Sequence, residues 1–137
     1  MTKDLWINLP VKDVKKSKEF FTKIGFTPEE THETVDMSCV KVGEKNFAVL
    51  LFAEETLKSF SKNEISDTKA GSEMMISFDA ESREEVDETA RKVFEAGGTV
   101  FSEPGEIQGW MYGFAFIDLD GHRWNQLYMD FSKLPKD

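Results

Sequence analysis

Cysteine, histidine and basic charge are what this chain has least of. Its 137 residues include one cysteine, Cys39, and two histidines, His32 and His122. A lone cysteine excludes an internal disulfide framework, and Cys39 reads as a buried core thiol rather than a nucleophile. These residues are too few for a structural zinc site, so any metal would depend on carboxylates. Seventeen Lys and Arg against 26 Asp and Glu leave a net charge of −9. A phosphate backbone would be repelled over most of such a surface, which argues against nucleic acid as a partner. No apolar run is long enough to span a bilayer. The opening MTKDLWINLPV has neither the basic flank nor the apolar stretch of a secretory signal. The expectation is a cytoplasmic protein with no membrane partner.

What the chain does have is bulky apolar mass, with twelve Phe and three Trp in a composition that is 39% hydrophobic. That is enough for a substantial core. The most informative stretch is Trp110–Asp130, WMYGFAFIDLDGHRWNQLYMD. It predicts two strands joined by a tight turn at 118–121, because Asp-Gly is a strong hairpin dipeptide. Arg123 and Asn125 alternate with Trp124 and Gln126, so one face of this ribbon is expected to cover helices and the other to line a cavity. The turn itself accounts for the paired carboxylates Asp118 and Asp120, and His122 is expected to face solvent or bond within the turn. His32, in the polar run THET, is expected at the surface.

Earlier in the chain, Leu5–Val11 predicts a strand. Asp13 stands as an N-cap before a helix whose apolar stripe is Val14, Ser17, Phe20, Phe21 and Ile24, and Gly25 suits the position just past its end. Strands follow at 26–30, 37–42 and 47–52, the last two paired as a hairpin across 43–46. Residues 53–72 are the least regular part, with one helical turn at 56–61 and then a linker or lid. The pattern then restarts: a strand at Glu73–Asp79, a capping box at Ser82 and Glu85, and a helical stripe of Val86, Ala90, Val93 and Phe94. Gly97-Gly98 ends that helix, 99–102 forms a short strand, and Pro104-Gly105 turns the chain.

The two halves share one grammar: strand, helix ending in glycine, three strands. The fold class expected is α+β, with two tandem βαβββ modules whose sheets curl around a shared cavity and whose helices lie outside. The whole is a single domain, with an N-terminal module at 3–55, a linker at 56–72, a C-terminal module at 73–131 and a polar tail at 132–137.

Three stretches, LPVKDVKKSKEFFTKIGF, AGGTVFSEP and FIDLDGHRWNQLYMD, resemble the vicinal oxygen chelate superfamily, which includes glyoxalase I, fosfomycin- and bleomycin-resistance proteins and extradiol dioxygenases. The last stretch resembles the superfamily's Asp-Pro-Asp-Gly turn, with Leu119 in the proline's place. The resemblance spans nearly the whole chain and implies the fold and a homodimer. It leaves the chemistry open, since one fold hosts many reactions. The superfamily's enzymes hold a divalent metal with His and Glu from the cavity strands, and the metal acts as a Lewis acid. At the positions the resemblance assigns to those ligands, this chain has Trp6, Leu51, Glu73 and Asn125. Only Glu73 is an anionic donor, so no metal and no other cofactor are expected.

Without a metal, the ligand-binding candidates are Trp6, Asn8, Leu51, Glu73, Met75, Asn125 and Leu127, with Trp110 and Tyr112 at the rim. Glu73 is the candidate general base or cation anchor, on the expectation that burial raises its pKa. The preferred reading is a protein of the glyoxalase and bleomycin-resistance type that binds a small molecule in an aromatic-lined cavity. The alternative is an enzyme: a lactoylglutathione lyase-like protein with an atypical metal shell, or a metal-free isomerase using Glu73. A third reading is a dimerising domain with no small ligand.

Overall fold

Capping chemistry and strand register build the same unit twice in this chain. The computed structural model describes residues 1–135. Its elements run β1 (Trp6–Val11), α1 (Val14–Lys23), β2 (Thr27–Thr34), β3 (Met37–Val42), β4 (Phe47–Ala53), α2 (Glu54–Ser61), β5 (Met75–Ala80), α3 (Arg83–Glu95), β6 (Thr99–Ile107), β7 (Met111–Ile117) and β8 (Arg123–Met129). A 3-10 turn at Phe131–Lys133 follows. Of the expected polar tail, residues 136 and 137 lie outside the described residues. Two compact units divide the chain, Met1–Thr68 and the residues from Lys69 onward.

Each unit is a βαβββ module with one four-stranded sheet, ordered β1-β4-β3-β2 in the first and β5-β8-β7-β6 in the second. In each, the first strand runs parallel to the last, and the last three form an antiparallel meander. The fold class is α+β, as the sequence pattern predicts.

Both long helices begin and end by the same chemistry. The Asp13 carboxylate accepts from the Lys16 N–H at 3.0 Å, and the Ser82 hydroxyl accepts from the Glu85 N–H at 3.1 Å, so an otherwise orphaned amide is satisfied at each N-terminus. At the exits, Gly25 and Gly97 take φ of +117° and +97°. That lets Phe26 N–H reach Phe21 O, and Gly98 N–H reach Val93 O, in matching Schellman motifs.

In the first module α1 buries Ser17, Phe20 and Phe21, and the sheet face it covers carries Leu9, Val11, Ser38, Val40, Val49 and Leu51. In the second, α3 buries Val86, Thr89, Ala90 and Val93, and the covered sheet face carries Phe114, Phe116, Trp124 and Gln126. Phe94 is not part of that stripe, being 76% exposed. At 100° per residue it sits about 90° around the helix from the stripe's centre, and Thr89 takes the buried place instead.

Other boundaries also differ from expectation. β2 runs on to Thr34 as an edge strand whose mostly exposed, polar side chains suit an edge. Residues 54–61 form a full eight-residue helix, α2, rather than a single turn. Strand β5 begins at Met75, not Glu73. Pro104-Gly105 does not turn the chain. β6 continues through it to Ile107, with register shifts at Val100/Ser102 and Ser102/Gly105. Because β6 is an edge strand, the missing proline N–H costs it little. The reversal comes later, where Gln108 and Gly109 both take positive φ.

Candidate functional site

Alternation along paired strands gives each sheet a second face, opposite its helix. In the first module this open face carries Trp6, Asn8 and Pro10 from β1, Ala48, Leu50 and Phe52 from β4, and Met37, Cys39 and Lys41 from β3. Trp6 is 54% exposed and Asn8 is exposed. Phe60 of α2 meets Phe52 edge-on at 5.5 Å, so the helix in the expected linker contributes an aromatic beside this face. Burial pushes the Cys39 thiol pKa up, which keeps it protonated at neutral pH and unsuited to nucleophilic attack.

In the second module the open face carries Met75, Ser77 and Asp79 from β5, Arg123, Asn125 and Leu127 from β8, and Gly113, Ala115 and Ile117 from β7. The Ser77 hydroxyl donates to Asn125 Oδ1 across the parallel rung that joins them. The Arg123 guanidinium lies 4.6 Å from the centre of the Phe101 ring.

Several expected residues therefore share these faces: Trp6 and Asn8 on one module, and Met75, Asn125 and Leu127 on the other. Three do not. Leu51 is fully buried on the helix-covered side, paired with Leu9 and Ser38, and its neighbour Leu50 occupies the open face. A one-residue register change moves a side chain to the opposite face, and the unbroken apolar run FAVLLF gives no alternation to fix it. Tyr112 also points to the helix side, where its hydroxyl donates to the Asp87 carboxylate of α3 at 2.6 Å. Glu73 lies in an exposed bend before β5, so the burial that its role as general base required is absent. Trp110 sits in the turn before β7 and packs on Phe131, ring centres 5.8 Å apart.

Residues absent from the expected set are Leu50, Phe52, Ser77, Phe101 and Arg123. Period-two alternation from Asn125 already places Arg123 on its face. Ser77 follows once the β5 register is known. Phe101 depends on the irregular register of β6, which no sequence pattern encodes.

The turn at 118–121 is structural. Asp118 is buried, and its carboxylate accepts from the Asp120 and His122 amides at 2.9 and 3.0 Å and from Trp124 Nε1 at 3.0 Å. Burial pushes its pKa up, while His122 and these donors pull the other way. Gly121, with φ +91°, completes the reversal.

The donor chemistry of the open faces fits a divalent metal poorly. β1 and β4 offer an indole, an amide and apolar groups, and β5 and β8 offer a hydroxyl, an amide and one carboxylate, Asp79. Transition metals want three or four nitrogen, sulfur or anionic oxygen donors. Among the described residues, no three of His, Cys, Asp and Glu come together as such a set. The Arg123 charge on the same face opposes a cation.

Comparison with known proteins agrees with this architecture. No curated protein matches the chain. A hypothetical protein from S. aureus is 35% identical and superposes with a TM-score of 0.83, covering 93% of this chain and 94% of its own. A glyoxalase/bleomycin resistance protein/dioxygenase family enzyme from Burkholderia phytofirmans PsJN is 19% identical, with a TM-score of 0.80 over 93% of this chain and 99% of its own. The genomically encoded fosfomycin resistance protein FosX from Listeria monocytogenes is 20% identical, with a TM-score of 0.68 over 100% and 96%. The family model for the Glyoxalase/Bleomycin resistance protein/Dioxygenase superfamily matches residues 5–125. Two tandem βαβββ modules together with that match place the chain in this family, the vicinal oxygen chelate superfamily, to which it belongs.

Proposed function

We propose that this protein binds a small molecule on its open, aromatic-bearing sheet faces and does so without a catalytic metal. The observation that carries this reading is the donor set: the open-face positions of β1, β4, β5 and β8 hold Trp6, Asn8, Leu50, Met75, Ser77 and Asn125. On each module's face these supply apolar contact beside a few polar groups, the composition of an organic ligand site. The proposal includes a homodimer, consistent with exposed apolar residues such as Trp6 and Met75.

Metal analysis of protein purified without chelators, with thermal shifts in nickel, zinc, manganese and iron, tests the reading. The expected result is substoichiometric metal and an unchanged Tm. Stoichiometric metal with a Tm rise of several degrees would overturn it, because a ligand bound tightly to the folded state alone must stabilise that state.

A further inference from the structure

We infer that the open face of the second module carries an oxyanion subsite in which Arg123 is the anchor, so the small molecule this protein binds bears a carboxylate or phosphonate-like group. The inference rests on the small-molecule reading above and specifies its ligand class.

The chain has three arginines. Arg83 is held by Glu106, and Arg91 by Glu88 and Glu95. Arg123 has no ion pair among the described residues, although carboxylates outnumber cations in this protein. Its guanidinium instead lies over Phe101 at 4.6 Å, on a side chain that is only half-exposed. A cation–π contact of this kind spends none of the N–H donors of the fork on an acceptor. The ring also restricts where the guanidinium can sit, which lowers the entropy a ligand must offset on binding.

The neighbouring polar group on the same face has the same sense. Asn125 lies two residues along β8, and its Oδ1 is occupied by the Ser77 hydroxyl. What it still presents is its NH₂ group, a pair of donors. A fork of cationic donors and a neutral pair of donors about 7 Å along one strand match a planar or tetrahedral oxyanion. Asp79, a carboxylate on this face, lies four rungs beyond Arg123 opposite Leu127 and makes no ion pair with it.

The probes are three compounds that share a ring and differ in the group it bears: benzoate, phenylphosphonate and neutral benzamide. Binding to the full chain is followed by NMR through the Arg123 Nε–H signal, identified by its loss in Arg123→Gln. The expected result is that both anions shift this signal and bind about tenfold or more tightly than benzamide. In Arg123→Gln that advantage should vanish. Phe101→Leu keeps the charge but removes the platform, and should cost the anions a smaller, severalfold loss while benzamide is unaffected. Melting temperatures of both variants confirm that they fold. If the anions bind no better than benzamide, or if Arg123→Gln leaves their affinity intact, the subsite is overturned while the small-molecule reading stands on the benzamide result. If none of the three binds, the subsite is overturned and the broader reading loses support with it.

Discussion

In the first module the aromatic rings of the core come from the helix and its exit, whereas in the second they come from the strands. Phe20 and Phe21 of α1 meet edge-on at 5.1 Å, and Phe21 stacks on Phe26, just past the helix, at 5.6 Å. The facing strands supply smaller groups: Leu9, Val11, Ser38, Val40, Val49 and Leu51. In the second module the helix supplies Val86, Thr89, Ala90 and Val93, and the rings of Phe78, Phe114, Phe116 and Trp124 stand on the sheet. Close packing constrains the summed volume across an interface, not which side provides it. Two copies of one backbone can therefore diverge in their cores while keeping identical caps and strand order.

Position-matched truncations are the strongest way to break this comparison. Val49 pairs with Ile7 as Trp124 pairs with Ile76, so the two are the same site in the two modules. Trp124→Ala should cost about 3–5 kcal/mol, since it removes a fully buried ring and the donor to Asp118 Oδ2. Val49→Ala should cost about 2 kcal/mol, by the methyl groups lost and the small void left. Urea unfolding measures both. Equal costs would show that strand-borne aromatic mass is not what holds the second module together.

A smaller effect is expected at the rung where Gly113 pairs with Leu127 and Met37 pairs with Phe52. A Cβ at Gly113 would lie 2.5 Å from the Gln126 carbonyl oxygen and 2.6 Å from Leu127 Cδ2. Gly113→Ala should therefore destabilise by about 1–3 kcal/mol, as overpacking against backbone cannot relax cheaply. Met37→Ala, at a half-buried position, should cost about 1 kcal/mol. A neutral Gly113→Ala would mean that β7 and β8 can separate locally, and that their close approach is not needed for the meander.

Much of this was legible in the sequence where one residue type has one physical use. Asp13, Ser82, Gly25 and Gly97 mark helix ends because their side chains, or the lack of one, solve the terminal hydrogen-bond problem. The 118–121 turn is announced by Asp-Gly, and the alternation of Arg123, Trp124, Asn125 and Gln126 displays two faces outright. Reading failed where that contrast disappears. FAVLLF is apolar at every position, so Leu50 and Leu51 could not be told apart. Tyr112 serves an apolar face or a polar rim equally well, and its hydrogen bond to Asp87 depends on helix–sheet packing. Glu73 was misplaced by a strand boundary two residues off, and Pro104 because an edge strand tolerates what a central one would not. Phe94 fitted a helical stripe by spacing alone and lies outside it by angle. The platform under Arg123 was invisible, since Phe101 reaches it only through an irregular register.

The smallest predicted effect concerns the polar network of the first module, which, unlike the Arg83–Glu106 ion pair of the second, reaches a fully buried hydroxyl, that of Ser38. Lys18 Nζ donates to Glu30 Oε1 at 3.2 Å and to Glu33 Oε2 at 2.9 Å, and the Ser38 hydroxyl donates to Glu33 Oε1 at 2.8 Å. Ser38 pairs with Leu51 as Phe114 pairs with Gln126, so an aromatic ring occupies the matching position in the second module. The Lys18 ammonium, and then the Ser38 hydroxyl, hold the Glu33 carboxyl below the usual glutamate value. A carboxyl depressed on folding binds fewer protons folded than unfolded. Its contribution is therefore complete above the unfolded value of about 4.5 and is lost as pH falls through the depressed one. Glu33→Gln keeps an acceptor for Ser38 but removes the titration. Between about pH 6 and pH 3 the wild-type Tm should fall further than that of the variant. Glu29, Glu88 and Asp130 are likewise depressed by their hydrogen-bond donors and remain in both proteins, so the difference isolates Glu33. Parallel acid limbs would show that the charge of Glu33 contributes nothing to the contact between α1 and β2, and the contrast between Ser38 with its carboxylate partner in the first module and the Phe114 ring in the second would then be one of composition without energetic consequence.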